Sequence, residues 1–292
     1  EFGIAKGIWY GVFHSISAFC NAGFDLMGIR QQYSSLTSFV GDPFVNFAIM
    51  ALIVIGGIGF MTWDDIKTNG LKWKRYRMQS KVILTTTALL ILIPAAYFFF
   101  FEFSDAPLNE RIWSSFFQSV TPRTAGFNTV DLTTISETGC MIMIALMLIG
   151  GSPGSTAGGM KTTTFAVMLS NAVSVFRRRE HTHFFGRRIS SDTLRNAATI
   201  FTMYVTLCLV GGCAISYMEN LPLVTCLYET ASAVGTVGLT VGITPELGLS
   251  SQYILIFLMY VGRVGGLTLI FAALTGGRDV SVRLPQEKLR VG

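Results

Sequence analysis

The chain has 292 residues and a net charge of +5, yet 51% of it is hydrophobic, only 13% is charged, and the mean hydropathy is +0.53. A soluble globular chain carries roughly 25% charged residues, so a pair of soluble domains is set aside in favour of one integral membrane body. The basic residues stand in blocks beside apolar segments, with no aromatic-interleaved basic face, which argues against nucleic acid as a partner.

In chain order, the first stretch, 8–20, is short and amphiphilic and runs into Cys20-Asn21-Ala22-Gly23-Phe24. An apolar segment follows at 43–64, and then a connection rich in Lys67, Lys72, Lys74, Arg75, Arg77 and Lys81. Apolar segment 82–103 precedes a second short stretch, 110–121, which leads into Arg123-Thr124-Ala125-Gly126-Phe127. The apolar run 137–175 is too long for one crossing and is interrupted by Gly, Ser and Pro at 150–159. A second basic connection holds Arg177, Arg178, Arg179, Arg187, Arg188 and Arg195. Segment 196–218, short stretch 221–234, Gly235-Thr236-Val237-Gly238-Leu239 and segment 251–275 complete the series.

About 20 apolar residues are needed to cross a bilayer, so the three short stretches are expected to be re-entrant helices that do not span it. Segments 13–24, 116–127 and 228–239 superimpose without a gap. They recur about a hundred residues apart, far beyond any solenoid period. The expected fold is therefore an all-α integral membrane protein, with repeated span, pore helix, filter loop and span units arranged as a pseudo-fourfold ion pore. Its divisions are a partial unit at 1–66 lacking its leading span, a linker at 67–81, a unit at 82–175, a linker at 176–195, a unit at 196–277 and a tail at 278–292. Both basic linkers are expected in the cytoplasm by the positive-inside rule, which turns the Gly loops outward. Three loops leave one side of a ring open, so about one and a half units are expected upstream.

Backbone carbonyls replace the hydration shell of a cation when a short extended segment lines a narrow axis. Gly23, Gly126 and Gly238 permit such a backbone, and Cys20, Asn21 and Ala22, with Arg123, Thr124 and Ala125, and with Gly235, Thr236 and Val237, would present the carbonyls. A dehydrated cation is expected at these carbonyls alone. The five cysteines, Cys20, Cys140, Cys208, Cys213 and Cys226, have no C-x-x-C spacing and read as buried free thiols. Glu229 and His14 occupy equivalent positions in two of the short stretches, where Phe117 stands in the other, and read as support behind the loops. Arg123 is expected to pair with a carboxylate such as Glu229 or Asp131.

Asn21-Ala-Gly-Phe24, Thr121-Pro-Arg-Thr-Ala-Gly-Phe127 and Gly235-Thr-Val-Gly-Leu239 resemble the second, third and fourth filter loops of the Trk/Ktr/HKT potassium transporter superfamily. The short chain is most similar to the bacterial KtrB membrane subunits, and the resemblance covers essentially its whole length. It implies potassium uptake, with K+ as the cation at those carbonyls, through four units in one polypeptide, a homodimer, and a cytosolic KtrA-like RCK ring that binds ATP or ADP. Nucleotide would sit only on that partner, and sodium is a further candidate ion. The chain departs from the pattern in showing no first filter loop.

The resemblance also implies that the interruption in the third unit is an intramembrane gate. Gly150, Gly151, Ser152, Pro153, Gly154, Ser155, Thr156, Ala157, Gly158, Gly159 and Lys161 carry that role, with Arg263 of the last span facing the pore. Gly content and Pro153 rule out a regular helix there, and a packing kink is the alternative. Residues 154–162 also come within one residue of a phosphate-binding G-x-x-x-x-G-K-T loop, but Met160 breaks the spacing and no strand precedes it. Arg263 in mid-span calls for a water-filled cavity or a partner, and no acid stands nearby in that span. A membrane-embedded enzyme would want paired carboxylates or a Ser/Lys arrangement inside the spans, and a scaffold without transport leaves the three Gly loops unexplained. These two stand as the alternatives from other classes, beside a TrkH-type or less selective Na+/K+ transporter of the same fold.

Overall fold

The structure is a computed structural model that describes residues 2–29 and 33–265. The expected tail, 278–292, and the last part of segment 251–275 lie outside the described residues.

Ten α-helices carry the described residues. Three are the short amphiphilic stretches: α1 (Ile4–Phe19), α5 (Leu108–Val120) and α9 (Leu223–Gly235). The others are α2 (Pro43–Gly57), α3 (Phe60–Asn69), α4 (Met78–Tyr97), α6 (Glu137–Leu148), α7 (Thr162–Phe176), α8 (Ser191–Glu219) and α10 (Leu249–Val264). A two-residue hairpin, β1 (His183–Phe184) with β2 (Arg187–Arg188), sits in the second basic connection.

Local chemistry fixes the helix starts. The Asp42 carboxylate accepts from the Phe44 and Val45 N–H groups with Pro43 at the first helical position, and Ser136 and Ser190 cap α6 and α8 through Gly139 N and Thr193 N. Pro94 lies inside α4, which continues as a π-helical turn over Phe98–Glu102. Met78–Glu102 and Ser191–Glu219 are each long and apolar enough to cross a membrane. Their outward faces carry exposed Leu89, Leu92, Ile93 and Phe101 on one and Leu209 and Val210 on the other. In lipid such faces need no cover.

Segment 43–64 is not the single straight span its hydropathy suggests. α2 and α3 meet at a 98° bend, because Gly59 takes φ +88° and the Phe60 N–H leaves the helix to donate to Gly154 O at 3.0 Å. The helical region therefore runs past 66 into the expected linker. Segment 137–175 breaks as expected into α6, an irregular loop and α7.

α9 packs against α6, α8 and α10, while α1 packs against α2, and α5 against α2 and α4. Two apolar clusters follow from this. Met143, Met147, Tyr204, Ile215 and Tyr228 centre one; Ala18, Ile53, Phe117 and Phe127 centre the other. Cys140, Cys208 and Cys226 are buried free thiols, but Cys20 and Cys213 are exposed, a departure from the expectation for all five.

Candidate functional site

Within four residues of the last residue of each of α1, α5 and α9 the chain turns left-handed, at Asn21 (φ 51°), Thr124 (φ 62°) and Thr236 (φ 54°). Two residues on, Gly23, Gly126 and Gly238 turn left-handed again, at φ 72°, 83° and 89°. An ordinary extended strand points successive carbonyls to opposite sides; returning to the left-handed region every second residue swings them toward one side. The intervening residue folds back on its helix in all three copies, with Ala22 N donating to Ser17 O at 2.9 Å, Ala125 N to Thr121 O at 3.0 Å and Val237 N to Ser232 O at 2.8 Å.

The three loops are neighbours around one centre. A Cβ at Gly23 would lie 2.3 Å from Ala125 O, and a Cβ at Gly126 would lie 2.4 Å from Val237 O. A Cβ at Gly238 would meet nothing within 4 Å among the described residues. The contact pattern thus runs from the first loop to the second and from the second to the third, and stops at the outer side of the third. A cavity of about 650 Å³ opens beside these loops, lined among others by Phe24, Tyr33, Asp131, Glu229 and Arg263.

Behind the loops, His14 and Glu229 do equivalent work. The Leu26 N–H donates to His14 Nε2 at 3.2 Å, while His14 Nδ1 lies 2.7 Å from Tyr10 O. Glu229 Oε1 accepts from Val241 N at 3.0 Å and Thr240 Oγ1 at 2.7 Å, and Oε2 accepts from Thr244 Oγ1 at 2.6 Å. Leu26 and Val241 each stand three residues beyond their loop glycine. In the middle copy Phe117 replaces the acceptor, and the hydroxyl of Thr129, three residues beyond Gly126, is buried without a hydrogen-bond partner among the described residues.

Arg123 does not pair with either expected carboxylate. Its side chain is buried, Nη2 donates to Thr87 Oγ1 at 3.2 Å, and Nε has no partner among the described residues. Glu229 is occupied as above, and Asp131 is turned to its own turn, accepting from Thr133 Oγ1 at 2.7 Å and Thr133 N at 2.9 Å. The Thr133 hydroxyl, and then its N–H, hold the Asp131 carboxyl below the usual carboxylate range.

The 150–161 loop closes on itself and then on all three Gly loops. Gly150 N donates to Met160 O at 2.8 Å, and Thr162 N to Gly151 O at 2.9 Å. Toward the first loop, Thr156 Oγ1 lies 2.7 Å from Asn21 Oδ1 and 3.1 Å from Phe19 O. Toward the second, a Cβ at Gly150 would stand 3.2 Å from Thr124 Cγ2. Toward the third, a Cβ at Gly158 would overlap Thr236 Oγ1 at 2.0 Å, and one at Gly159 would stand 3.0 Å from Gly235 O.

Two cations hold this loop by its carbonyls. Lys161 Nζ donates to Ala157 O at 2.8 Å, and Arg263 Nη1 to Thr156 O at 3.3 Å. Lys161 therefore serves the loop's own backbone in place of a phosphate. The loop is also tied to the α2–α3 bend, since Ser152 N donates to Gly57 O at 2.9 Å. That tie, like the Thr156 to Asn21 contact, was not anticipated from sequence; the Gly56-Gly57-Ile58-Gly59 cluster was its one visible sign. Among the described residues no group of His, Cys, Asp or Glu is arranged to hold a metal.

With this geometry in place, comparison with known proteins is specific. A family profile described as "TrkH: Cation transport protein" matches residues 3–288. The chain is 39% identical over 303 residues to the potassium/sodium uptake protein NtpJ of Enterococcus hirae, covering 100% of this chain and 66% of that one. It is 37% identical to the Ktr system potassium uptake protein B of Bacillus subtilis, over 93% of this chain and 61% of the relative. It thus spans less than two thirds of the length of these relatives. The crystal structure of the potassium transporter TrkH from Vibrio parahaemolyticus superimposes with a TM-score of 0.72 at 20% identity, over 90% of this chain and 57% of that one, a likeness of fold.

Proposed function

The chain belongs to the TrkH family of cation transport proteins, and on that premise we propose that it forms most of the permeation path of a potassium-uptake protein of the cell membrane. The family is one of transporters, so no covalent chemistry is sought. In this reading, dehydrated K+ meets the carbonyls of Cys20 to Gly23, of Arg123 to Gly126 and of Gly235 to Gly238, and a fourth wall comes from a unit outside this chain. The observation that carries it is the convergence of three left-handed Gly loops on one centre. Each loop is backed by the C-terminus of α1, α5 or α9, whose partial negative charge favours a cation.

Loop 150–161 is the gate, held shut across the path by Thr156, Lys161 and Arg263. Its contacts with all three Gly loops support that role, because ions leaving them must pass it. The units at 1–66, 82–175 and 196–277 surround the path, with the Gly loops facing outside and the basic linkers 67–81 and 176–195 in the cytoplasm. The full protein is a homodimer regulated by a cytosolic RCK ring, whose ATP and ADP states differ in affinity for the open and closed gate. Similarity to a potassium/sodium uptake protein favours a second reading, in which Na+ also passes or activates.

The test is uptake of Rb+ and Na+ by liposomes holding the full-length protein, as wild type and as Gly126→Ser and Gly238→Ser. The reading predicts Rb+ uptake in the wild type and a lowered Rb+ over Na+ preference in both variants, with assembly intact. Unchanged preference in well-assembled variants would contradict the filter assignment.

A further inference from the structure

The two basic connections, 67–81 and 176–195, meet at a single seam. The β1–β2 hairpin pairs His183 with Arg188 and Phe184 with Arg187, which leaves Phe185 and Gly186 as a two-residue turn at φ 46° and 77°. Positive φ at both positions is the type I′ geometry, for which Asn-Gly is the favoured pair. An aromatic at its first position is strained, and this turn position puts Phe185 at the hairpin tip.

The tip lands on the other connection. The Phe185 ring packs edge-on against Trp73 with centroids 6.4 Å apart, Trp73 in turn lies 5.6 Å from Tyr76, and Lys81 Nζ sits 5.9 Å over the Phe185 ring. Lys81 is fixed there by donating to Lys74 O at 3.1 Å. Within two or three residues of Trp73 and Phe185 in sequence stand the exposed cations Lys72, Lys74, Arg75, Arg187 and Arg188.

The local carboxylates are spent elsewhere. Asp64 and Asp65 both pair with Arg77, at 3.2 Å and 3.6 Å, Glu180 lies 3.6 Å from His181, and Asp192 pairs with Arg195 at 2.8 Å. None of the seam cations has a carboxylate partner among the described residues. Large apolar groups are exposed in the same region: Leu71 fully, and Phe185 at 50%. The seam also lies at the start of α4 and just beyond the end of α7, the membrane ends of two apolar helices.

We propose that this seam, formed by Trp73, Lys74, Arg75, Phe185, Arg187 and Arg188, is a binding site for the headgroup of an anionic phospholipid. A phosphate-bearing amphiphile satisfies both halves of the surface at once: its headgroup oxygens neutralise the unpaired Lys and Arg groups, and its glycerol and upper acyl region cover Leu71 and Phe185. A soluble anion would leave the apolar groups in water. The site rests on the proposed topology, which puts both connections at the inner leaflet.

The experiment measures retention of phosphatidylglycerol and of phosphatidylcholine by the detergent-purified full-length protein, using native mass spectrometry. The wild type is expected to retain phosphatidylglycerol in preference. The variant Lys74→Gln/Arg75→Gln/Arg187→Gln/Arg188→Gln is expected to weaken that retention by a few hundredfold, at about fivefold for each lost charge, while Arg75→Lys/Arg187→Lys/Arg188→Lys keeps it. Equal retention by wild type and the Gln variant, equal retention of both lipids, or displacement of the lipid by excess inorganic phosphate would each overturn the proposal. So would loss of an acidic cytosolic protein by the Gln variant with lipid retention unchanged, which would make the seam a protein-docking face. Lipid retention does not depend on flux: a well-folded protein that holds the lipid yet moves no Rb+ would overturn the transport reading and support the site.

Discussion

Thr156 and Asn21, 135 residues apart in sequence, lie 2.7 Å apart through Oγ1 and Oδ1. Asn21 is the left-handed residue after α1, and Thr156 stands in the middle of the 150–161 loop. A single hydroxyl therefore links the proposed gate to the proposed filter. Replacing it with an isosteric methyl removes the link without changing volume. We expect Thr156→Val to raise Rb+ uptake about fivefold, the effect of losing one hydrogen bond of about 1 kcal/mol from the closed state. Uptake equal to wild type would place the latch elsewhere.

Arg263 holds the same residue from the other side, through Thr156 O. Arg263→Gln removes the positive charge from the ion path and weakens that hold, so Rb+ uptake is expected to rise. Double substitution with Thr156→Val should give less than the product of the single effects, because both act on one loop. Independent, fully multiplicative effects would contradict a shared latch.

The glycines differ in what a methyl group would meet. Gly126→Ala puts a Cβ 2.4 Å from Val237 O at a positive φ, so backbone strain of about 1–3 kcal/mol adds to a direct clash. Gly238→Ala meets strain alone among the described residues. If a further loop completes the ring, Gly238→Ala in the full-length protein should impair K+ over Na+ preference as severely as Gly126→Ala. A clearly milder Gly238→Ala phenotype would speak against a closed fourfold ring.

Glu229 holds the segment beyond Gly238 through three donors. Glu229→Ala removes the acceptor of these part-buried donors, at about 0.5–1.5 kcal/mol for each hydrogen bond. It is expected to lower the melting temperature and blur K+ over Na+ preference together. Glu229→Gln retains one oxygen acceptor and should fall between alanine and wild type. A Gln variant as damaged as the Ala variant would show that the negative charge, and not the hydrogen bonding, matters.

The parts that sequence made legible are those written in local backbone chemistry. Gly23, Gly126 and Gly238 announce left-handed turns at the ends of short amphiphilic helices, and the Gly and Pro content at 150–159 announces a break in α6–α7. The bend at Gly59 was missed because the apolar run across 43–64 hides it from hydropathy, and its cause is a carbonyl of Gly154 far along the chain. The partner of Arg123 was missed for a related reason. Charge arithmetic looks for a carboxylate, whereas packing delivers the Thr87 hydroxyl from α4. The seam of Trp73 and Phe185 joins two connections that each read as solvated loops when taken alone.

The central claim is that loop 150–161 gates a potassium path through the three Gly loops. It is tested most directly by Rb+ uptake into liposomes containing the full-length protein, with and without deletion of residues 150–159. The account predicts measurable uptake by the wild type and faster uptake after deletion. Absence of Rb+ flux from well-folded protein in both forms would contradict it and return the Gly loops to helix packing.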